Sequence, residues 1–365
     1  MQTIAGFFKK YRWPLTGALL GALVFVALYG VQVLNPANVN WILNNASPDP
    51  SQHYLGWEFF RRSTVRLPYL GANYSAIYPY RTSILFTDSI PLLALLCKLV
   101  SPLLPAQFQY FGLWGLFCYA LQGGLAQAIL ARLGGIRPGQ TAACWASVLG
   151  AGLLVFFPAL TVRMFAHTAL AANWLVLLAF WLWLRGDALL PTTKRACLAW
   201  GGMGLLCAGI HLYYLPMVGL VLVGFAVRRA LQKRGIAAVL LPVAVFCGAA
   251  LAELVVLGAF ASNFAGYSNG YLSGADLVNL VVPDLNASWE QDVYMGLGGV
   301  LTLVLAAVGL LIACLRGRTA RLDAFARRHR TWLVAGAVVL VLDGVAAMGN
   351  TVTLGGKTLG TVPIP

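Results

Sequence analysis

The chain has 365 residues, of which 60% are apolar and only 10% charged, and its formal net charge is +14 at pH 7. Together with a mean hydropathy of +0.78, this composition excludes an ordinary soluble domain and predicts an all-α polytopic membrane protein. The basic residues lie in short loops between apolar runs, which is typical of the positive-inside rule and argues against nucleic acid as a partner.

Nine apolar segments are predicted to span the membrane within a single integral domain, residues 1–365. In chain order they are 14–34, 107–131, 141–158, 168–184, 196–210, 212–227, 236–260, 297–315 and 331–348. The first segment follows a short basic stretch, so we expect it to be retained with its N-terminus in the cytoplasm.

One further apolar run, 89–104, is interrupted by prolines and is too short to span comfortably, so we expect it to be interfacial or re-entrant. If the run 89–104 stays on the external side and does not span, most of the 25 lysine and arginine residues lie on the cytoplasmic side, including the basic tract 316–330. The resulting topology has a first external loop, 35–105, a second external loop, 261–296, and an external C-terminus.

The first external loop is predicted to contain two membrane-lateral helices. One covers 51–62, with Ser51 as a cap after two prolines. The other begins the run 89–104, with Asp88 or Ser89 as its cap and Pro91 in its first turn.

Ionisable side chains gather on the predicted external face, which indicates a site there. They are His53, His167, His211, Asp49, Glu58, Asp88, Asp276, Asp284, Glu290 and Asp292. The alternative is that the external loops are longer and therefore more polar.

Asp49 ranks first among the candidate reactive groups because it follows the first span and stands between two prolines. It is expected to act as a general base on a sugar hydroxyl, and its alternative role is to cap the following helix. His53 is expected to bind Asp49 or substrate, or to be merely interfacial, while Glu58 is expected to pair with Arg61 or Arg62.

The external arginines Arg61, Arg62, Arg66 and Arg81 suit either a lipid-linked phosphate or ordinary lipid headgroups. Two acids within predicted spans, Glu253 and Asp343, are expected either to line a cavity or to serve as neutral hydrogen-bonding groups. The second external loop mixes acids with Trp289 and Tyr294, a composition that suits carbohydrate or the headgroup belt.

Several stretches resemble a bacterial family of membrane proteins of the glycosyltransferase GT-C type. These stretches are Asp49-Pro50-Ser51-Gln52-His53-Tyr54-Leu55-Gly56-Trp57-Glu58-Phe59-Phe60-Arg61, Asp88-Ser89-Ile90-Pro91-Leu92-Leu93, Phe108-Gln109-Tyr110-Phe111-Gly112-Leu113-Trp114, 167–174 and 351–359. The resemblance covers most of the chain and implies a GT-C-like fold with a large first external loop in a bacterial inner membrane.

The resemblance also implies transfer of a sugar from a polyprenyl-phosphate-linked donor to a glycan or lipid acceptor at the external face. An acid of the first external loop then acts as base or binds a divalent metal, and this role falls on Asp49; no other cofactor is indicated, and no metal ligand is assigned from the sequence. The residues expected to bind substrate are His53, Glu58, Arg61, Arg62, Arg81, Asp88, His167, His211, Glu290 and Tyr294.

The chain departs from its relatives in three ways. It has Asn173 where they carry a further histidine, and its first loop lacks the adjacent acid pair of many GT-C enzymes, which weakens a metal-dependent mechanism. The relatives continue beyond Pro365, so the chain is expected to be either a natural short form or a truncated fragment.

Two other functions fit the same sequence. A transporter or flippase of a lipid-linked or anionic solute would use the external arginines with Glu253 and Asp343, although no internal repeat is found. A GT-C-like scaffold without activity would differ only in lacking an intact acidic cleft.

Overall fold

The computed structural model describes residues 4–45, 47–261, 276–282, 296–317, 319–348 and 351–361. These residues are mainly helical. The helices are α1 (Ile4–Tyr29), α2 (Asn40–Leu43), α3 (Asp49–Arg62), α4 (Pro91–Leu99), α5 (Phe111–Leu133), α6 (Thr141–Val155), α7 (Pro158–Thr161), α8 (Trp174–Leu184), α9 (Gly186–Leu189), α10 (Thr193–Ile210), α11 (Tyr214–Leu231), α12 (Ile236–Val256), α13 (Gly296–Leu315) and α14 (Thr319–Met348).

Two short antiparallel strand pairs accompany the helices in the described residues. β1 (Ala72–Asn73) pairs with β2 (Thr82–Ser83), with Ala72 opposite Ser83. β3 (Thr351–Leu354) pairs with β4 (Lys357–Thr361). Neither pair is large enough to form a sheet core, so the fold class remains all-α.

Among the residues that the structure describes, five helices are long and apolar enough to cross a bilayer. They are Lys10–Tyr29, Phe111–Leu133, Tyr214–Leu231, Ile236–Val256 and Leu322–Ala347, and shorter apolar helices cover Thr141–Val155, Thr168–Leu184 and Gly299–Leu315. The structure therefore confirms an all-α membrane protein. Each of the nine predicted segments contains a helix, while the number of spans and the GT-C-like fold remain predictions.

The chain divides into two compact units, one of residues 1–219 and 241–265 and the other of 220–240 and 266–365. In the first unit, α1 and α5 approach at backbone distance. A Cβ added to Gly21 would overlap the carbonyl of Tyr119, and one added to Gly123 would overlap the carbonyl of Gly17. Small residues permit this packing, as in many membrane helix pairs.

The first lateral helix, α3, begins at Asp49, two residues before the predicted start. Proline is accepted in the first helical turn because its missing N–H has no partner there, so Pro50 extends the helix instead of preceding it. The predicted cap at Ser51 is wrong. Its hydroxyl lies inside α3 and donates to the carbonyl of Ile42 at 3.1 Å.

The second lateral helix, α4, is shorter than the predicted run 89–104 and is followed by a 3-10 turn over Ser101–Leu103. Neither Asp88 nor Ser89 caps it, so that prediction is also wrong. The residue before α4 is Ile90, which adopts a left-handed conformation with φ 51°. The side chains of Asp88 and Ser89 are therefore available for other contacts.

Candidate functional site

The turn before α4 fixes the backbone of Asp88. Both Asp88 and Ile90 have φ of 51°, a conformation that L-residues adopt rarely and that needs support from surrounding contacts. Ser89 supplies this support, because its hydroxyl donates to the carbonyl of His53 at 2.6 Å and its own carbonyl accepts from the hydroxyl of Tyr110. The direction of the Asp88 side chain is thus set by α3 and the residue preceding α5.

Three histidines from three other segments surround Asp88, and we call these four residues the histidine cluster. His53 Nε2 lies 3.2 Å from Oδ2, His167 Nδ1 lies 3.6 Å from Oδ2, and His211 Nε2 lies 3.8 Å from Oδ1. His53 belongs to α3, His167 to the turn before Thr168–Ala171, and His211 to the connection between α10 and α11. The structure thus brings together four of the residues that the sequence placed on the external face.

The carboxylate of Asp88 is poorly satisfied by the protein. Its side chain is 12% exposed, both oxygens are shielded from solvent, and neither accepts a hydrogen bond from the described residues. The 3.2 Å approach of His53 therefore lacks the alignment of a hydrogen bond. Other buried polar atoms of the described residues also lack a partner, but Asp88 is the carboxylate among them with both oxygens in this state, which makes it a candidate to bind a ligand.

Burial is also the main influence on two of the histidines. It lowers the pKa of His53 and of His211, while the negative charge of Asp88 opposes this effect at both. The surroundings of both imidazoles therefore favour the uncharged form more than water does.

The tautomer of His211 follows from its backbone contact. Its Nδ1 accepts a hydrogen bond from the N–H of Tyr213 at 3.2 Å, so the neutral ring carries its proton on Nε2. That Nε2–H is the group nearest Oδ1 of Asp88. His211 therefore faces the carboxylate as a donor.

The segment that carries His167 is fixed by two helices. The indole N–H of Trp114, from α5, donates to the carbonyl of Thr168 at 3.0 Å, and the hydroxyl of Tyr214, from α11, donates to the carbonyl of Leu170 at 2.6 Å. The hydroxyl of Thr168 lies 3.3 Å from Nδ1 of His53. Sequence reasoning missed Thr168, because its role depends on a contact between distant segments.

Asp49 lies in the first turn of α3, one turn before His53. It is half-buried, and its Oδ2 accepts a hydrogen bond of 3.3 Å from the hydroxyl of Ser47. Its negative charge acts to raise the pKa of His53, against the larger effect of burial. Asp49 is thus electrostatically coupled to the cluster.

The predicted phosphate-binding role does not fit Arg61, whose side chain is 10% exposed. All five of its N–H groups donate within the protein, to acceptors located around the end of the first external loop. The acceptors are Ser101 Oγ and the carbonyls of Ser101, Leu104, Pro105 and Ala106. We call Arg61 with these acceptors the arginine anchor.

The other residues that the sequence predicts to bind substrate are Glu58, Arg62, Arg81, Glu290 and Tyr294. Glu58 pairs with Arg62 at 2.9 Å and approaches Arg61 at 3.8 Å, as the sequence analysis expected. Arg81 is half-buried just before β2. Glu290 and Tyr294 lie outside the described residues.

Arg163 is a cation that the sequence analysis did not select. It is half-buried four residues before His167, and its positive charge contributes to lowering the pKa of His211, after burial and the charge of His167. A basic side chain close to the cluster would complement an anionic group bound there. The sequence offers one signal for it, an arginine in a predicted external turn that breaks the positive-inside pattern.

A shallow cleft of about 300 Å³ runs along the other face of α3. It is lined by Leu43, Leu55 and Phe59, and Glu58 and Arg62 also contribute to it. The three apolar side chains are exposed, each by more than two fifths. Such a surface is suited to the hydrocarbon chain of a lipid.

A family model described as "Domain of unknown function (DUF6311)" matches residues 18–365. The match therefore extends over nearly the whole chain, including every member of the histidine cluster. No curated protein and no solved structure matches the chain.

Proposed function

The chain belongs to the DUF6311 family, and we propose that it is an integral membrane glycosyltransferase with a GT-C-like fold. It would transfer a sugar from a polyprenyl-phosphate-linked donor to a glycan or lipid acceptor at the external face of a bacterial inner membrane. The observation that carries this proposal is the histidine cluster, whose buried Asp88 accepts no hydrogen bond from the described residues. Ionisable groups gathered in this way are costly and concentrate at functional sites.

The topology that accompanies the proposal has nine spans, a cytoplasmic N-terminus and the active face outside. It places α3, α4, His167 and His211 on the same side of the membrane as residues 35–105. The distances within the histidine cluster support this arrangement, because segments that meet at one carboxylate must lie at one membrane face. The basic loops between the apolar segments support the orientation.

Asp49 is the proposed general base. Its half-buried carboxylate could remove the proton from an acceptor hydroxyl while the acceptor oxygen forms a bond to the anomeric carbon. The bond from this carbon to the phosphate oxygen breaks, and polyprenyl phosphate leaves with the electron pair. The configuration at the anomeric carbon is inverted. The hydrogen bond from Ser47 restricts the direction of the Asp49 carboxylate.

The donor is proposed to enter from the membrane along the cleft beside α3. The exposed side chains of Leu43, Leu55 and Phe59 would contact the polyprenyl chain. Arg163, whose positive charge acts on His211 of the histidine cluster, would bind the phosphate in place of Arg61. A fixed, charged phosphate site matters because the leaving group carries the developing negative charge.

The test is transfer from radiolabelled polyprenyl-phosphate sugars to externally added acceptors by the purified chain in nanodiscs. We expect Asp49→Asn to lower the rate by at least about 100-fold, since loss of a general base costs roughly that much. Asp187→Asn is the matched control, because Asp187 is an exposed acid in a predicted cytoplasmic loop, and it should leave the rate unchanged.

The rival functions predict different results in the same assay. A flippase would move labelled lipid across proteoliposomes without forming a glycosidic bond, and an inactive scaffold would do neither. Transfer at the wild-type rate by Asp49→Asn would overturn the proposed role of Asp49. A wild-type chain that moves lipid but never transfers sugar would overturn the enzymatic function itself.

A further inference from the structure

We propose that His53, Asp88 and His167 form a binding site for one divalent transition-metal cation, with Zn²⁺ as the best match. The ligand atoms of these three residues all lie within 4.8 Å of one another. Two of the separations, from Oδ2 of Asp88 to His53 and to His167, are 3.2 and 3.6 Å. Zinc bonds of about 2.0–2.2 Å in a tetrahedral site require separations of roughly 3.3 Å between ligand atoms, so these two separations already fit. The third, between the ring nitrogens of His53 and His167, is at most 4.8 Å and would have to shorten on binding if it exceeds roughly 3.3 Å.

The state of Asp88 supports a bound cation. Both carboxylate oxygens are shielded from solvent and accept no hydrogen bond from the part of the chain that the structure describes. A buried acceptor without a partner is costly, and the left-handed backbone at Asp88 adds to the cost. A metal ion between Oδ2 and the two imidazoles would provide the missing partner.

The remaining contacts match the outer shell of a metal site. Metal-bound histidines usually donate their second ring N–H to a nearby oxygen, and bound carboxylates are in turn hydrogen-bonded. Thr168 Oγ1 lies 3.3 Å from Nδ1 of His53. Nε2 of His211 lies 3.8 Å from Oδ1 of Asp88 and would have to approach by about 0.9 Å to donate to this oxygen. His53 would therefore bind the metal through Nε2, while His211 would orient Asp88 without binding the metal.

The ligand set determines which metal fits. Two imidazoles and one carboxylate suit Zn²⁺ and its transition-metal neighbours, whereas Mg²⁺ and Ca²⁺ prefer sites made of oxygen ligands. Three protein ligands also leave a coordination position open, as in catalytic zinc sites. The inference rests on the proposed function in one respect only: the open coordination position is assigned to an oxygen atom of the sugar donor or of the acceptor.

The experiment measures Zn²⁺ binding directly, without a sugar donor. The full chain is purified in nanodiscs with a tag that lacks histidine, stripped with a chelator, and titrated with Zn²⁺ by calorimetry. Metal content after desalting is then measured by mass spectrometry. We expect about one Zn²⁺ per chain and binding of Mg²⁺ that is weaker by at least about 100-fold.

The variants separate the ligands from the outer shell. His53→Ala and Asp88→Asn should each weaken Zn²⁺ binding by at least about 100-fold, and His211→Phe by about 10-fold. His329→Ala is the matched control, because His329 is the remaining histidine of the chain and belongs to the other compact unit. It should leave binding unchanged. If a buried variant does not fold, the half-buried His167 gives the same test as His167→Ala.

Three results would overturn the inference: absence of Zn²⁺ binding, equal affinities for Zn²⁺ and Mg²⁺, or wild-type affinity in both His53→Ala and Asp88→Asn. Its failure can be distinguished from failure of the proposed function. Stoichiometric Zn²⁺ binding by a chain that never transfers sugar would overturn only the proposed glycosyltransferase function. Sugar transfer by a chain that binds no Zn²⁺ would overturn only the proposed metal site.

Discussion

The histidine cluster and the arginine anchor both lie in the first compact unit. Each contains a largely buried charged side chain, Asp88 in the cluster and Arg61 in the anchor. The two side chains differ in how many of their hydrogen-bonding groups have a partner. Every N–H of Arg61 donates to a protein acceptor. Neither oxygen of Asp88 accepts a hydrogen bond from the described residues. A satisfied charge stabilises the fold, whereas an unsatisfied one requires something that the protein itself does not supply. The arginine anchor is therefore a structural element, and the histidine cluster is the candidate site.

The largest expected effect on stability concerns the arginine anchor. Arg61→Met should lower the free energy of unfolding by about 3 kcal/mol, because Ser101 Oγ and four carbonyl oxygens lose their donors. The measurement is reversible unfolding in mixed micelles with increasing denaturant. Arg62→Met is the control, since Arg62 is 75% exposed and its ion pair with Glu58 should contribute less than about 0.5 kcal/mol. Equal losses in the two variants would remove the basis for calling Arg61 an anchor.

An intermediate effect is expected from Lys98, which links α4 to the end of α3. Its ammonium donates to the carbonyls of Phe60 and Ser63 at 2.5 and 2.8 Å, and burial lowers its pKa to about 8 from 10.5. The unfolded chain therefore binds more protons between pH 8 and 10.5, so stability should rise with pH in this window, by about 1 kcal/mol after allowance for solvent screening. Denaturant unfolding of wild type and Lys98→Met at several pH values tests this. A rise of the same size in Lys98→Met would assign it to another group.

The smallest effect on stability is expected at Asp88 itself. In metal-free protein, Asp88→Asn should change the free energy of unfolding by less than about 0.5 kcal/mol or increase it, because the carboxylate accepts no hydrogen bond that the amide would lose. Asparagine also tolerates the positive φ of this position. The same unfolding assay applies. If Asp88→Asn lowered the free energy of unfolding as much as Arg61→Met does, the histidine cluster would be a stabilising element like the arginine anchor and not a binding site.

The sequence predicted the membrane class and the helices within the apolar segments, and it grouped three histidines with Asp88, which the structure brings together. These features follow from composition and periodicity, which are local properties. It also predicted the ion pair of Glu58 with its neighbouring arginines, because residues three and four apart share a helix face. The start of α3 was misplaced because a proline in the first turn resembles a helix boundary.

The assignments that the sequence could not make depend on contacts between distant segments. Asp88 ranked below Asp49 because nothing local distinguishes it from a helix cap, and its importance arises from a left-handed turn and from histidines on three other segments. Arg61 was assigned to phosphate because the carbonyls that bind it lie 40 to 45 residues further along the chain. Hydrogen-bond satisfaction is a property of the folded chain and has no signature in a single sequence.

The glycine contact between α1 and α5 has a consequence for biosynthesis. Gly21 and Tyr119 are separated by about 100 residues, which a ribosome adds in about 5–20 s. During this interval α1 has no protein partner for its glycine face, and the whole of the first external loop emerges before α5 can pair with it. His211 is synthesised later still, so a nascent chain from which α5 has just emerged can form its first helix pair while the histidine cluster is incomplete. Ribosome-bound chains of increasing length would therefore acquire packing between α1 and α5 before they acquire a site.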